Sequence, residues 1–336
     1  MTLRAIACLF LAMTIALCAV AEEQSDSMVT PEIRRAIDEG LDYLASRVGP
    51  DGSVGTASSP IAVTALAGTA FLAGGYVPGK GKYGRELDKI KDYILSCVHE
   101  TSGYVSSSRF GGNMYSHGFA TLFLAEAYGM TPDPRVEEAL RKAVKLIEQC
   151  QGDLGGWRYD PKPSESDISV TICQVMALRA ARNAGIPVDQ KVIEKALECV
   201  KSCQNTDGGF KYIAGQQGGS AFPRSAAGVC ILYYVGDYGS SEITAGLKYI
   251  AQSLPGDQRS DISSHVWYGY YYATQAMYQA GGEYWNKWYP AVCKWVLTQR
   301  DRNGSYRDSS YGSDYATAMA TIILQVPLCY LPIFSR

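Results

Sequence analysis

The side chains best able to do chemistry in this chain are few and far apart. Its three histidines are His99, His117 and His265. They are too scattered for a histidine-held metal, so no metal and no cofactor is expected. Two carboxylates, Asp167 and Asp314, each stand where an apolar stretch begins. A carboxyl in apolar surroundings resists ionising and can serve as a general acid. A competing role exists at such places: Asp and Ser cap the free N–H groups of a helix start, and Asp167 follows Ser166.

These residues belong to a recurring polar set. Ser58 and Ser59, then Tyr115, Ser116 and His117, then Asp167, Ser169 and Thr171 each precede or open an apolar run. The set continues with Arg224 and Ser225, with Asp261, Ser263, Ser264 and His265, and with Ser313, Asp314 and Tyr315. Capping explains the Ser, Thr and Asp members. His117, Arg224 and His265 are not natural caps, so they are better candidates for contact with a ligand. Helix N-termini converging on one mouth attract an anion, and Arg224 adds to that.

The densest aromatic run is Trp267, Tyr268, Gly269, Tyr270, Tyr271 and Tyr272. Buried tyrosine hydroxyls need partners. Four tyrosines in five positions cannot share one dry face, so some should border a cavity or a ligand. With Tyr115 and Tyr315 they are candidates to line a binding site for a small molecule, a glycan or a peptide.

Positioning these residues falls to a repeat. Gln151 to Trp157 reads QGDLGGW, Gln204 to Phe210 reads QNTDGGF, and Gln299 to Tyr306 reads QRDRNGSY. Each has a Gln, a turn, and an aromatic two residues after a Gly: Gly155 and Trp157, Gly208 and Phe210, Gly304 and Tyr306. Weaker copies occur at Gly52 and Gly103. The first four glycines are 51, 52 and 53 residues apart, and Gly304 lies 96 beyond Gly208, two further periods. The fifth copy has decayed near Gly256 and Asp257. Six units result.

Each unit has the same plan. An amphipathic helix precedes the motif, as in 192–201, where positions 192, 193, 196, 197 and 200 are apolar at helical spacing. A helix apolar nearly all round follows, as in 170–181, 226–234 and 316–325. A helix with no polar face must be covered on every side. The apolar helices therefore form an inner layer and the charged ones an outer layer. An open stack of repeats needs polar caps. Here the chain runs out through the apolar stretch 327–334, which favours a closed ring: an all-α, α/α toroid of six helical hairpins. The motif Gly makes the turn and its aromatic packs between hairpins.

Composition agrees. The chain has 336 residues, 47% hydrophobic and 19% charged, with a net charge of −2. That mixture buries a large core, and without a basic stripe nucleic acid is not an expected partner. Arg4, the apolar run 5–16 and the small residues Ala19 and Ala21 form a signal peptide over 1–21, followed by a short polar leader over 22–30 and one six-repeat domain over 31–336. The protein is then expected to be exported, to the periplasm or beyond the cell. The apolar run is short of the ~20 residues of a membrane span, so the protein is not membrane-spanning after cleavage. Of ten cysteines, Cys97, Cys150 and Cys203 occupy equivalent repeat positions. One disulfide among them and plain buried thiols are both open.

The Q-x3-G-x-W pattern of Gln151 to Trp157 resembles the repeat of squalene and oxidosqualene cyclases, and the hairpin plan is similar to protein prenyltransferase β-subunits. The stretches 114–129, 155–186, 222–230 and 315–334 resemble exported prenyltransferase/squalene oxidase repeat proteins. The resemblance implies an α/α toroid. It implies little chemistry, because the D-x-D-D acid cluster of class II cyclases and the Asp-x-Cys zinc pair of prenyltransferases are missing. Three readings follow: a toroid that binds a ligand or partner in its cavity; a terpenoid or prenyl-group enzyme with relocated catalytic residues such as Asp167 or Asp314; and a carbohydrate-active toroid, which would need two facing carboxylates.

Overall fold

The computed structural model describes residues 28–55, 60–257 and 265–335. The expected signal peptide and most of the leader lie outside the described residues, as do Ser58, Ser59, Asp261, Ser263 and Ser264.

Amphipathic segments give the outer helices α1 (Pro31–Arg47), α3 (Gly84–Ser96), α5 (Pro134–Gln149), α7 (Gln190–Ser202), α9 (Ser241–Ala251) and α11 (Gly282–Thr298). In α7, Val192, Ile193, Ala196, Cys199 and Val200 are buried, and Asp189 caps the helix by accepting from the Lys191 N–H. The apolar segments give the inner helices α2 (Pro60–Ala73), α4 (Met114–Met130), α6 (Ile168–Asn183), α8 (Phe222–Val235), α10 (Val266–Ala280) and α12 (Gly312–Gln325). Each inner helix packs on the next, and α12 packs back on α1 and α2. The six hairpins close into a ring.

The repeat motif is the joint between hairpins. The Gln151 side-chain amide donates to Gly155 O and Val192 O, both at 2.8 Å. Gln204 repeats this on Gly208 O at 3.0 Å and Glu242 O at 2.8 Å. Gln299 departs from the pattern and donates to the Thr298 hydroxyl. Gly155 has φ +89°, and a Cβ there would lie 2.1 Å from Lys195 O on the next outer helix. No other residue fits that turn. Trp157, Phe210 and Tyr306 are buried.

A second recurring contact ties each turn to its inner helix. The N–H groups of Val54, Trp157, Phe210 and Tyr306 donate to the hydroxyls of Thr64, Thr171, Ser225 and Thr317, at 2.8, 3.1, 2.9 and 3.0 Å. In the second hairpin the Val105 N–H donates instead to His117 Nδ1, at 3.2 Å.

The C-terminal stretch 327–334 does not extend the last inner helix, which ends at Gln325. It turns under the ring in two short 3-10 segments and buries Leu331, Ile333 and Phe334. The Gln279 amide holds Ser335 O at 3.1 Å, and the Ile333 N–H meets the buried Glu126 carboxyl. This segment closes the C-terminal end of the inner ring. The N-terminal end stays open.

Candidate functional site

Because inner helices are apolar on all sides, their side chains fill the ring's axis except near their first turns. There the polar set replaces apolar residues, and a cavity of about 590 Å³ opens. All six inner helices contribute near their first turns: Ala62 and Val63, Tyr115, Ser169, Pro223 and Arg224, Tyr268, and Tyr315. One turn deeper lie Leu66, Phe119 and Met319. The turns add Tyr159, Tyr212 and Tyr311.

The aromatic run of α10 sorts itself by face. Tyr268 crosses the cavity, and its hydroxyl donates to Ser169 O on α6 at 3.1 Å. One turn below, the Tyr272 hydroxyl meets Cys173 Sγ, also on α6, at 3.5 Å. The two rings pack edge-on, with centroids 4.6 Å apart. Helix α8 lies between α6 and α10, so these tyrosines span the ring and make the cavity floor. Tyr270 points the other way and packs edge-on against Trp288 and Trp295 of α11.

Of the residues singled out by sequence, Tyr115, Arg224, His265, Tyr268 and Tyr315 lie on the cavity wall. Arg224 donates from Nε to Phe210 O at 3.0 Å and from Nη2 to Gly219 O at 2.7 Å. Burial pulls its pKa down. His265 opens α10 with φ 54° and faces the Tyr311 ring at 6.1 Å. That backbone region is sparsely used by non-glycine residues.

Three expectations are corrected. His117 does not face the cavity. It is fully buried behind the wall, where Nδ1 accepts from the Val105 N–H and Nε2 lies 3.2 Å from Ala143 O. Burial pushes its pKa down to about 4, so the ring is neutral and donates from Nε2. Trp267 is also buried: its indole N–H donates to Arg307 O at 2.9 Å and its ring packs on Trp295 and Tyr306. Asp314 turns away from the cavity toward α1. Arg47 Nε lies 2.9 Å from its Oδ1, and the Tyr43 hydroxyl donates to the same oxygen at 3.0 Å. An acid held by a guanidinium is kept ionised, which removes it as a proton donor.

Asp167 has both features weighed from the sequence. Its Oδ1 caps α6 by accepting from the Val170 N–H at 2.8 Å. Its Oδ2 is buried without a full hydrogen bond, although the Tyr212 hydroxyl is near enough to favour ionisation. Burial outweighs these and pushes the carboxyl up to about 6. Among the described residues no Asp or Glu lines the cavity itself, and no three His, Cys, Asp or Glu side chains cluster as metal ligands do.

Tyr159, Tyr212 and Tyr311 were not singled out from the sequence. The first two had a signal: Trp157-Arg158-Tyr159 and Phe210-Lys211-Tyr212 are the same aromatic–basic–Tyr step in successive repeats. Their hydroxyls are hydrogen-bonded to each other over the mouth. No disulfide joins the described cysteines; Cys97, Cys150 and Cys203 each sit buried at the C-terminal cap of an outer helix.

The family described as prenyltransferase alpha-alpha toroid domain matches residues 78–252. No curated protein matches the chain by sequence. Solved structures of the same fold include a type II terpene cyclase from Scytonema, with TM-score 0.63 and 14% identity over 90% of this chain and 100% of that one. Cellobiose 2-epimerase from Spirochaeta thermophila gives 0.67 and 14%, over 89% and 98%. An inactive variant of an α-1,6-mannanase of Salegentibacter, in complex with α-1,6-mannotriose, gives 0.65 and 9%, over 88% and 97%. At these identities the likeness is one of fold. No described helix is long and apolar enough to cross a membrane.

Proposed function

This chain belongs to the prenyltransferase alpha-alpha toroid family, and on that premise we propose that it is an exported toroid that binds a small-molecule ligand in its tyrosine-lined cavity. The observation that carries this reading is the cavity itself. It is open at one end, floored by Tyr268, and ringed by six tyrosines: 115, 159, 212, 268, 311 and 315. Its volume of about 590 Å³ falls in the ~300–1,000 Å³ range of small-molecule sites. Tyrosine faces supply apolar contact at little entropic cost, and their hydroxyls orient a ligand. Export is supported by the N-terminal signal in the sequence.

A second reading, proton-transfer chemistry on a terpenoid or prenyl substrate, is favoured by one observation. Asp167 is a buried acid pushed up to about 6, beside the wall tyrosine Tyr212. The carbohydrate reading loses support because the described wall residues include no pair of carboxylates.

The test is native mass spectrometry of protein isolated from its own cell without denaturation. Wild-type protein retains a small molecule, and Ala62→Trp, which fills the cavity, does not. Conversion of the retained compound by wild-type protein but not by Asp167→Asn would favour the second reading. Equal retention by both chains would end the cavity reading.

A further inference from the structure

The cavity is two-faced. One side is apolar: Ala62, Val63 and Leu66 from α2, Phe119 from α4 and Met319 from α12. The other side carries the cavity's described cationic and imidazole groups, Arg224 on α8 and His265 at the start of α10.

The backbone is arranged the same way. Helices α4 and α6 have their first N–H groups occupied by the side chains of Asn113 and Asp167. Helices α8, α10 and α12 have no side-chain cap. Their N-termini open onto the cavity, where the helix dipoles add positive potential. The Arg224 guanidinium uses Nε and Nη2 on two carbonyls, and no carboxylate among the described residues compensates its charge. Asp167, the acid nearest the wall, is spent on the α6 cap. A half-buried cation beside uncapped helix ends, facing an apolar wall, is complementary to a negative head on an apolar body.

We infer that the ligand is an amphiphilic anion, with its carboxylate or phosphate at Arg224 and its apolar body against Leu66, Phe119 and Met319. This rests on the cavity being the binding site and adds the charge and polarity of its occupant. His265 supplies a second donor on the same side, and the tyrosine floor limits how far the apolar end descends.

Matched amphiphiles test it. The full-length protein is titrated calorimetrically with decanoate and with decanol, which share a chain and differ in the head. Decanoate should bind at least ten times more tightly than decanol. Arg224→Gln should bring the two affinities together, and Arg224→Lys, which keeps the charge, should retain part of the preference. Equal binding of acid and alcohol by the wild type overturns the anionic head while leaving the cavity reading standing. So does an equal loss in the Lys and Gln variants, which would mark Arg224 as a loop support only. Failure of both amphiphiles to bind, or binding untouched by Ala62→Trp, sinks the cavity reading and this inference together.

Discussion

Gly304, in the last repeat turn, packs on the backbone of Glu39 in the first outer helix; a Cβ on Gly304 would lie 2.7 Å from Glu39 O. Gly155 meets Lys195 O and Gly208 meets Ala245 O in the same way, at 2.1 and 2.6 Å. The ring therefore closes through the contact that joins its internal neighbours, and the last hairpin treats the first as the next repeat.

Gly304→Ala should destabilise the fold more than Gly185→Ala. Both glycines have positive φ, but a Cβ at Gly185 meets nothing within 4 Å. The Gly185 variant pays only the left-handed backbone term of ~1–2 kcal/mol. The Gly304 variant adds a clash at the ring seam, for a total of about 3 kcal/mol. Urea unfolding of the two variants checks the difference.

The Arg47–Asp314 pair should act on stability and not on ligand affinity. Asp314 is the more buried partner, with side-chain exposure of 12% against 41% for Arg47. Arg47→Ala strands a shielded carboxylate and should cost about 1–3 kcal/mol. In Asp314→Ala the arginine returns to water, so the cost should be smaller. Denaturation midpoints and one binding isotherm per variant decide this. A loss of affinity in Asp314→Asn would return that acid to the site.

Two buried groups give the stability a predictable pH dependence. Glu126 is 3% exposed and is pushed by burial from 4.5 up to about 8. Between those values the native state holds a proton that the unfolded state has lost, so stability falls as pH rises through that window. His117 is pushed from 6.5 down to about 4. There the unfolded state holds the extra proton, so this contribution grows as pH rises from 4 to 6.5 and is lost on acidification. The slopes oppose one another below about 6.5, leaving a net decline from about 6.5 to about 8, with a limiting slope of ~1.4 kcal/mol per pH unit. Glu126→Gln should flatten that decline, as followed by urea unfolding at a series of pH values.

The thiols should be unreactive while the protein is folded. Burial pushes Cys173 and Cys293 up to about 12 and Cys150 up to about 11, which suppresses their thiolates. Of the described cysteines only Cys329 is partly exposed. A thiol reagent should label at most that residue in native protein and all eight described cysteines after denaturation. Oxidised pairs among Cys97, Cys150 and Cys203 would contradict the structure.

The ring was legible in the sequence because its joints are local and repeat. The Gln, Gly and aromatic of 151, 155 and 157 recur at 204, 208 and 210, and each residue does in one turn what it does in the next. The direction of individual side chains was not legible, since an inner helix with no polar face offers no periodicity to mark its lumen side. Tyr115 and His117 are two residues apart, on opposite sides of α4, and one lines the cavity while the other is sealed behind it. His117 could have been placed by alignment, as it fills the position of Thr171 and Ser225 in receiving a turn N–H. The tail at 327–334 misled for a related reason: apolar character signals burial, and a plug across the ring's end is buried as well as a helix in its seam.

The most direct test is a crystal structure of the full chain with the small molecule it retains on isolation. The account predicts ligand density between Tyr115, Tyr268 and Tyr315, above the Tyr268–Ser169 hydrogen bond and within reach of Arg224. A ligand bound on the outer helices, with only water between those tyrosines, would contradict it.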